Sequence, residues 1–373
     1  MQAPERILVK EVNWLGDVVM SLPALRAVRG AFPRARLSVL VKKELAGFFE
    51  GSEWIDEIIP YQFRKGVFNR FSDRRKIIAA LKERRFDLAI LFPNSFESAL
   101  WPLLARIPRR AGYSRDARGL LLNLKTSPTA QILSRHQVHY YLALLRETLG
   151  VEGSPEDFKP DVGARSLETM RAFLNQARRR PNRPLIALAV AAAYGPAKEW
   201  PAKHFARLID LLAEKHGAEC VLVGAPNERH KAEAVLALAR TSGILAAGKT
   251  SVGEALALLS LCSGFAGNDS GSMHVAGALG LPTVGIFGSS RPDRTAPLGP
   301  RTKTLQRLIP CSPCLKRTCR YGHYECLKQI QPEEVLAALE ALIADPGARA
   351  SARLSLSKSC PPPMAGGTPA TQC

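Results

Sequence analysis

In GNDSGSMHVAGALGLPTVGIFG a carboxylate and an imidazole stand in a run that is otherwise small and apolar. Asp269 and His274 are separated only by Ser270, Gly271, Ser272 and Met273. The spacing predicts a short strand ending near Gly267, a tight turn, a helix from about Ser272 to Leu279, and a buried strand TVGIF. A strand entering a helix through such a turn presents bare backbone N–H groups with partial positive charge, which is a seat for phosphate. A second reading stays open here, with Asp269 a helix cap and His274 a satisfied partner in a helix–strand contact.

Three further residues sit at predicted strand ends. Asp17, in NWLGD, follows the strand ILVKEV; a carboxylate there can accept a proton from a substrate hydroxyl, as attack on an activated sugar requires, or it caps the next helix. Lys198, in AAYGPAKEW, offers a cation that could neutralise a leaving diphosphate, or is a surface lysine. Glu228 begins the helix after LVGAP, where it could accept a ribose hydroxyl or simply suit the helix dipole. Each signal is weak alone, but all four positions surround one predicted cleft.

Two other motifs carry less. Gly243 to Thr250, GILAAGKT, fits the phosphate-loop pattern letter for letter. That loop needs a strand before its first glycine and a helix opening at its lysine. Here a helix precedes Gly243, ILAA reads as the strand itself, and Ser251 with Glu254 forms a capping box for the next helix. The cysteines Cys311, Cys314, Cys319 and Cys326, with His323 nearby, begin with a C-x2-C spacing but continue with spacings that match no standard zinc pattern. They are read as a thiol cluster, with no metal assigned.

The elements that must position these residues repeat one plan twice. Strand and helix alternate through ILVKEV, LRAVRGAF, LSVLV, ELAGFFE, IDEIIP, KIIAALKERR and FDLAILF, then again from LIALAV to GFAG. Alternation of this kind predicts parallel sheets covered by helices on both faces, an α/β chain of two doubly wound Rossmann-like domains with ligands at the carboxyl ends of the strands. The expected boundaries are an N-terminal domain over 1–165, a linker over 166–184, a C-terminal domain over 185–345 and a disordered tail over 346–373.

At 373 residues the chain suits two domains, and its net charge of +19 implies a polyanionic partner: nucleic acid, an anionic membrane surface or a phosphorylated substrate. From Tyr61 to Arg118 there are 14 Lys and Arg against 5 Asp and Glu, including the run Arg74, Arg75, Lys76. No segment approaches the roughly 20 apolar residues of a membrane span, and the N-terminus does not read as a signal peptide. The expected location is cytoplasmic. Nucleic-acid binding is disfavoured because the basic stretch lacks aromatic-rich or helix-turn-helix signatures.

Several of these stretches occur together in one order: VNWLGDVVMSLPALRAVRGAFP, LFPNSFESALWPLLARIPRRAGY, YGPAKEWPAKHFARL, LVGAPNERHKAE, AGKTS, GNDSGSMHVAGALGLPTVGIFG and CSPCLKRTCRYGHYEC. Through them the chain resembles glycosyltransferase family 9, the ADP-heptose-dependent heptosyltransferases of lipopolysaccharide synthesis, and within it the type II members. The resemblance spans nearly the whole chain to about residue 345 and implies a GT-B fold whose two domains face a central cleft. The implied reaction is inverting transfer from ADP-L-glycero-D-manno-heptose to a heptosyl-Kdo2-lipid A inner core, at the inner face of the inner membrane. No obligate cofactor is implied. Sister enzymes with another core acceptor, type I or III, are the alternative; a nucleic-acid-binding protein or phosphate-loop nucleotidase is a remote one.

By the same resemblance Asp17 matches the general base and Lys198 contacts the donor phosphates. Glu228, Asp269, Ser270 and Gly271 would hold the nucleotide sugar, with His274 nearby, while Asn13, Asn94 and Ser95 are the expected acceptor contacts. One departure stands out: Val190, Ala191, Ala192 and Ala193 replace a turn that usually bears hydroxyls. Phosphate contacts there must come from backbone N–H groups and Lys198.

Overall fold

The computed structural model describes residues 3–344, so the tail expected from 346 lies outside the described residues. Strands β1 (Arg6–Lys10), β2 (Arg36–Lys42), β3 (Glu57–Tyr61), β4 (Leu88–Leu91), β5 (Arg109–Tyr113) and β6 (Leu124–Thr126) form one parallel sheet ordered β3-β2-β1-β4-β5-β6. A second parallel sheet is ordered β12-β11-β10-β7-β8-β9. Its strands are β7 (Leu185–Ala189), β8 (Glu219–Val223), β9 (Ile244–Leu245), β10 (Gly264–Asn268), β11 (Thr283–Phe287) and β12 (Thr302–Gln306). Counted from its own first strand, each sheet has the same order. The central strands β4, β7, β10 and β11 are buried throughout, as expected of strands covered on both faces, and this is why they read as unbroken apolar runs.

The order places a topological switch between β1 and β4 in one sheet and between β7 and β10 in the other. Chain leaving neighbouring strands there turns in opposite directions and opens a crevice at their carboxyl ends. The two crevices meet. The helix Leu15–Ala31 after β1 packs against the helix Gly271–Ala278 after β10. A Cβ on Gly16 would lie 2.7 Å from His274 Cδ2, and one on Gly271 would lie 2.8 Å from Leu15 Cβ. Glycine at both positions lets the two N-terminal turns touch. One buried apolar cluster runs across this junction, joining Val18 and Leu25 to Met273 and Leu256.

One local expectation changes. ELAGFFE, expected as a helix, lies mostly in the 3-10 segment Lys43–Phe49. The region expected to link the domains contains the helix Ala164–Ala177, which buries Ser166, Met170 and Leu174 at four-residue intervals and packs on the helix Val252–Ser260. The stretch from 92 to 150, left unassigned by periodicity, contains β5, β6 and the helices Phe96–Leu104, Ala130–Ser134 and Gln137–Leu149. Strand β9 lies between the two glycines of GILAAGKT, and Ser251 and Glu254 form the reciprocal cap. A phosphate loop is thereby excluded.

Candidate active site

Lys198 ends the 3-10 turn Pro196–Lys198 that follows β7. The turn starts at Gly195, whose φ of 144° and 2.6 Å approach of a would-be Cβ to the Arg317 carbonyl admit little else. Lys198 Nζ forms an ion pair with Asp269 Oδ2, and the Ser290 hydroxyl donates to the same oxygen at 2.6 Å. Both charged side chains are largely buried, 16% and 4% exposed, so the pair is screened little by solvent. The other carboxylate oxygen lies 3.9 Å from His274 Nε2. Burial pushes the His274 imidazole down to about 4, so it is neutral at physiological pH.

Around this pair stand buried polar atoms without a partner among the described residues: Asn268 Nδ2, Ser270 Oγ, His274 Nδ1 and Ser289 Oγ. All lie where β10 and β11 end and the helix Gly271–Ala278 begins. A buried polar group left unpaired costs about 1–3 kcal/mol. Four of them at a helix N-terminus beside a lysine fit a highly polar, anionic ligand.

The cysteine-rich segment braces these loops. The Arg317 carbonyl accepts from Ala197 N–H at 2.9 Å, the Leu315 carbonyl from Tyr194 O–H at 2.7 Å, and the Ser289 carbonyl from Leu315 N–H at 2.7 Å. Ser312 Oγ donates to the Gly288 carbonyl at 2.8 Å. Cys311 Sγ lies 3.8 Å from His323 Nε2. Among the described residues no group of three or more His, Cys, Asp or Glu is placed to hold a metal ion.

Across the junction, Asp17 lies in the first turn of the helix Leu15–Ala31, with no side-chain hydrogen bond or ion pair among the described residues. The helix is entered through Trp14, without a side-chain cap, so Asp17 is not a capping residue. Burial pushes its carboxyl up to about 6, against the opposing pull of Lys198 and with a further push from Asp269. Behind it Glu11 is fully buried: Oε2 accepts from Val12 N–H and Ser21 O–H, each at 3.0 Å, while Oε1 has no partner. Burial raises Glu11 to about 7.

The expected acceptor contacts are already engaged within the protein. Asn13 Oδ1 accepts from Tyr61 O–H at 2.8 Å, Asn94 Oδ1 from Tyr140 O–H at 3.1 Å, and Ser95 caps the helix Phe96–Leu104. Glu228 caps the turn after β8 by accepting from Ala225 N–H at 2.8 Å, and shares no bond with the Lys198–Asp269 pair. In the apolar turn after β7, the Ala192 N–H is taken by Glu199 at 3.0 Å. Fewer backbone donors therefore face a phosphate there than the sequence suggests. Sequence reasoning missed Glu11, Ser289 and Ser290; the two serines stand at the end of β11, where the strand-end rule would have found them.

Two Rossmann-like domains meeting at their switch points, with a cation and orphaned polar atoms on one side and a carboxylate on the other, make a two-domain nucleotide-binding architecture with its cleft at the strand ends. Residues 74–325 match the family model "Glycosyltransferase family 9 (heptosyltransferase)". The chain is 31% identical over 350 residues to lipopolysaccharide heptosyltransferase 2 of Escherichia coli K12, covering 91% of this chain and 98% of that protein. It is 32% identical over 354 residues to lipooligosaccharide heptosyltransferase 2 of Haemophilus ducreyi, covering 91% and 99%. The solved structure of E. coli ADP-heptose lipopolysaccharide heptosyltransferase II superposes with a TM-score of 0.77 at 30% identity, covering 91% and 98%. A family 9 glycosyltransferase of Veillonella parvula reaches 0.81 at 24% identity, a likeness of fold. The chain belongs to glycosyltransferase family 9, the heptosyltransferases.

Proposed function

We propose that this enzyme transfers L-glycero-D-manno-heptose from ADP-L-glycero-D-manno-heptose to a heptosyl-Kdo2-lipid A inner core, with inversion. The observation that carries the reading is the Lys198–Asp269–Ser290 cluster, ringed by unpartnered polar atoms and lying close to an unpaired Asp17. In this reading the 1–165 region binds the acceptor, 166–184 links the halves and 185–345 binds the nucleotide sugar. Asp17 takes the proton from the acceptor hydroxyl as its oxygen attacks the anomeric carbon. The bond to the diphosphate breaks with its electron pair going to the phosphate oxygen. Lys198 and the N–H groups opening the helix Gly271–Ala278 stabilise that charge, which is greatest in the transition state. His274, neutral, donates or accepts a hydrogen bond without adding charge, and Glu228 accepts from a ribose hydroxyl with the carboxylate oxygen that does not cap the turn.

Among the described residues no helix is long and apolar enough to cross a membrane. We place the enzyme peripherally on the inner face of the inner membrane, where its basic surface meets anionic lipid and acceptor. The test is incubation with ADP-heptose and a panel of truncated cores, read by mass spectrometry. A single heptose added to the heptosyl-Kdo2 core is the expected product. Transfer to a core lacking heptose, or only to a longer one, reassigns the acceptor; transfer to none of the panel sinks the reading.

A further inference from the structure

The segment after β3 exposes apolar side chains that none of the described residues covers. Gly66 opens the helix Val67–Glu83, and at its start Val67, Phe68 and Phe71 are 81%, 92% and 60% exposed. Phe96, at the start of the adjoining helix Phe96–Leu104, is 46% exposed. The base of this prominence is fixed. Asp73 takes Arg64 in a paired salt bridge, Arg74 is tied to Glu97, and the Arg70 and Arg74 guanidinium groups lie over the Phe63 ring, each 5.7 Å from its centre. Beside the bare tip, Lys65, Arg75 and Lys76 are exposed and make no ion pair among the described residues. Exposed aromatic side chains on a fixed base, flanked by unpaired cations, match the two-signal rule for reversible binding to a bilayer, apolar insertion plus attraction to anionic headgroups.

We propose that Val67, Phe68 and Phe71 insert into an anionic lipid surface, with Lys65, Arg75 and Lys76 at headgroup level. The prominence follows β3 at the carboxyl end of the first sheet, the end that carries Asn13 and Asp17. A lipid-anchored acceptor can thus present its sugar to Asp17 while its acyl chains stay in the bilayer; this last point rests on the function proposed above. A second copy of the chain is a poor occupant, since a symmetric contact would bring the same unpaired cations together.

The experiment uses the full chain and vesicles of phosphatidylethanolamine and phosphatidylglycerol, without nucleotide sugar or acceptor, so its outcome is independent of catalysis. The wild type should sediment with these vesicles at low salt and not with phosphatidylcholine alone. Phe68→Ser with Phe71→Ser should weaken binding by about tenfold or more at both low and high salt. Arg75→Gln with Lys76→Gln should weaken it chiefly at low salt. Phe68→Trp should add emission that shifts to the blue and is quenched by brominated lipid. The double serine variant should keep its thermal midpoint and its turnover on a deacylated acceptor. If the serine variant binds as the wild type does, if the added Trp is not quenched, or if the wild type ignores anionic vesicles or sediments without them, the proposal fails.

Discussion

At the carboxyl ends of β7 and β10 the buried charges have counterparts: Lys198 holds Asp269, and Glu199 holds Lys231 at 2.6 Å. At the carboxyl ends of β1 and β4, in a sheet of the same strand order, the described residues form no such buried ion pair. Asp17 has no hydrogen-bond or ion-pair partner among them, Glu11 keeps a buried oxygen unpaired, and burial lowers Lys10 to about 7 although Glu97 and Glu11 pull the other way, its Nζ donating to Tyr61 O–H at 3.0 Å and lying over the Tyr61 and Trp101 rings. Topology therefore fixes where the two crevices lie, and the strand-end residues decide what each can do. One half is neutralised in advance, as suits a group that receives a diphosphate. The other holds acids near neutrality, as suits a group that must gain and lose a proton.

The sharpest test of this contrast is Asp17→Asn. The amide keeps the shape and removes the proton acceptor, so turnover should fall about 10²- to 10⁴-fold. Calorimetric affinity for ADP and the denaturation midpoint should not fall, because the lost charge was unpaired. Retention of more than half the wild-type turnover would exclude the role of base.

Lys198→Ala should behave in the opposite manner and cost both stability and nucleotide affinity. It strands Asp269, 4% exposed, without its cation, and breaking a buried pair on one side typically costs about 3–5 kcal/mol. Lys198→Met combined with Asp269→Asn should recover much of the stability in urea denaturation but none of the turnover. If the single and double variants are equally stable, the nucleotide side is not held by this pair and the contrast between the halves is lost.

The pH dependence separates the halves without a change of fold. A base must be unprotonated, so log kcat/KM should fall with unit slope below about pH 6, following Asp17, and His274 should not contribute until about pH 4. Asp17 ionises first, and its charge is one of the causes that raise Glu11, so along the acid limb Glu11 is still mostly protonated and neutral. Glu11→Gln, which keeps that neutral form, should leave both the acid limb and the plateau rate close to those of the wild type. A limb that moves down by half a pH unit or more shows that Glu11 already carries charge as Asp17 titrates.

The strand-end carboxylates and Lys198 were legible because each follows an apolar run that can only be a buried strand. The small-residue turn at GNDSGSMH was legible because few other folds need three such residues before a helix. Partnerships were not legible, since Lys198 and Asp269 meet only when β7 and β10 lie side by side. Burial of charge was invisible too. Arg118, counted in the basic stretch, is fully buried and donates to the Tyr113 carbonyl at 2.9 Å and to Ser98 Oγ at 2.9 Å. Strands β5 and β6 escaped because RRAGY and LKT are short and carry cations on a sheet flank, where apolar periodicity is weakest.

The smallest predicted effect belongs to Ser290, which sequence reasoning passed over in the turn GSS. Its hydroxyl donates to the Asp269 oxygen that Lys198 also holds, so Ser290→Ala removes one of two constraints on a carboxylate whose charge stays paired. The loss should be that of a single hydrogen bond to a charged group, about 1.5–3 kcal/mol at most and less where a water fills the gap. On the proposed assignment of Asp269 to the nucleotide sugar, the change should raise KM for ADP-heptose by more than it lowers kcat, and it should leave the acid limb of Asp17 unmoved. A variant that instead shifts the acid limb would mean that the two crevices titrate as one unit. The division into a neutralised half and a proton-accepting half would then have to be abandoned.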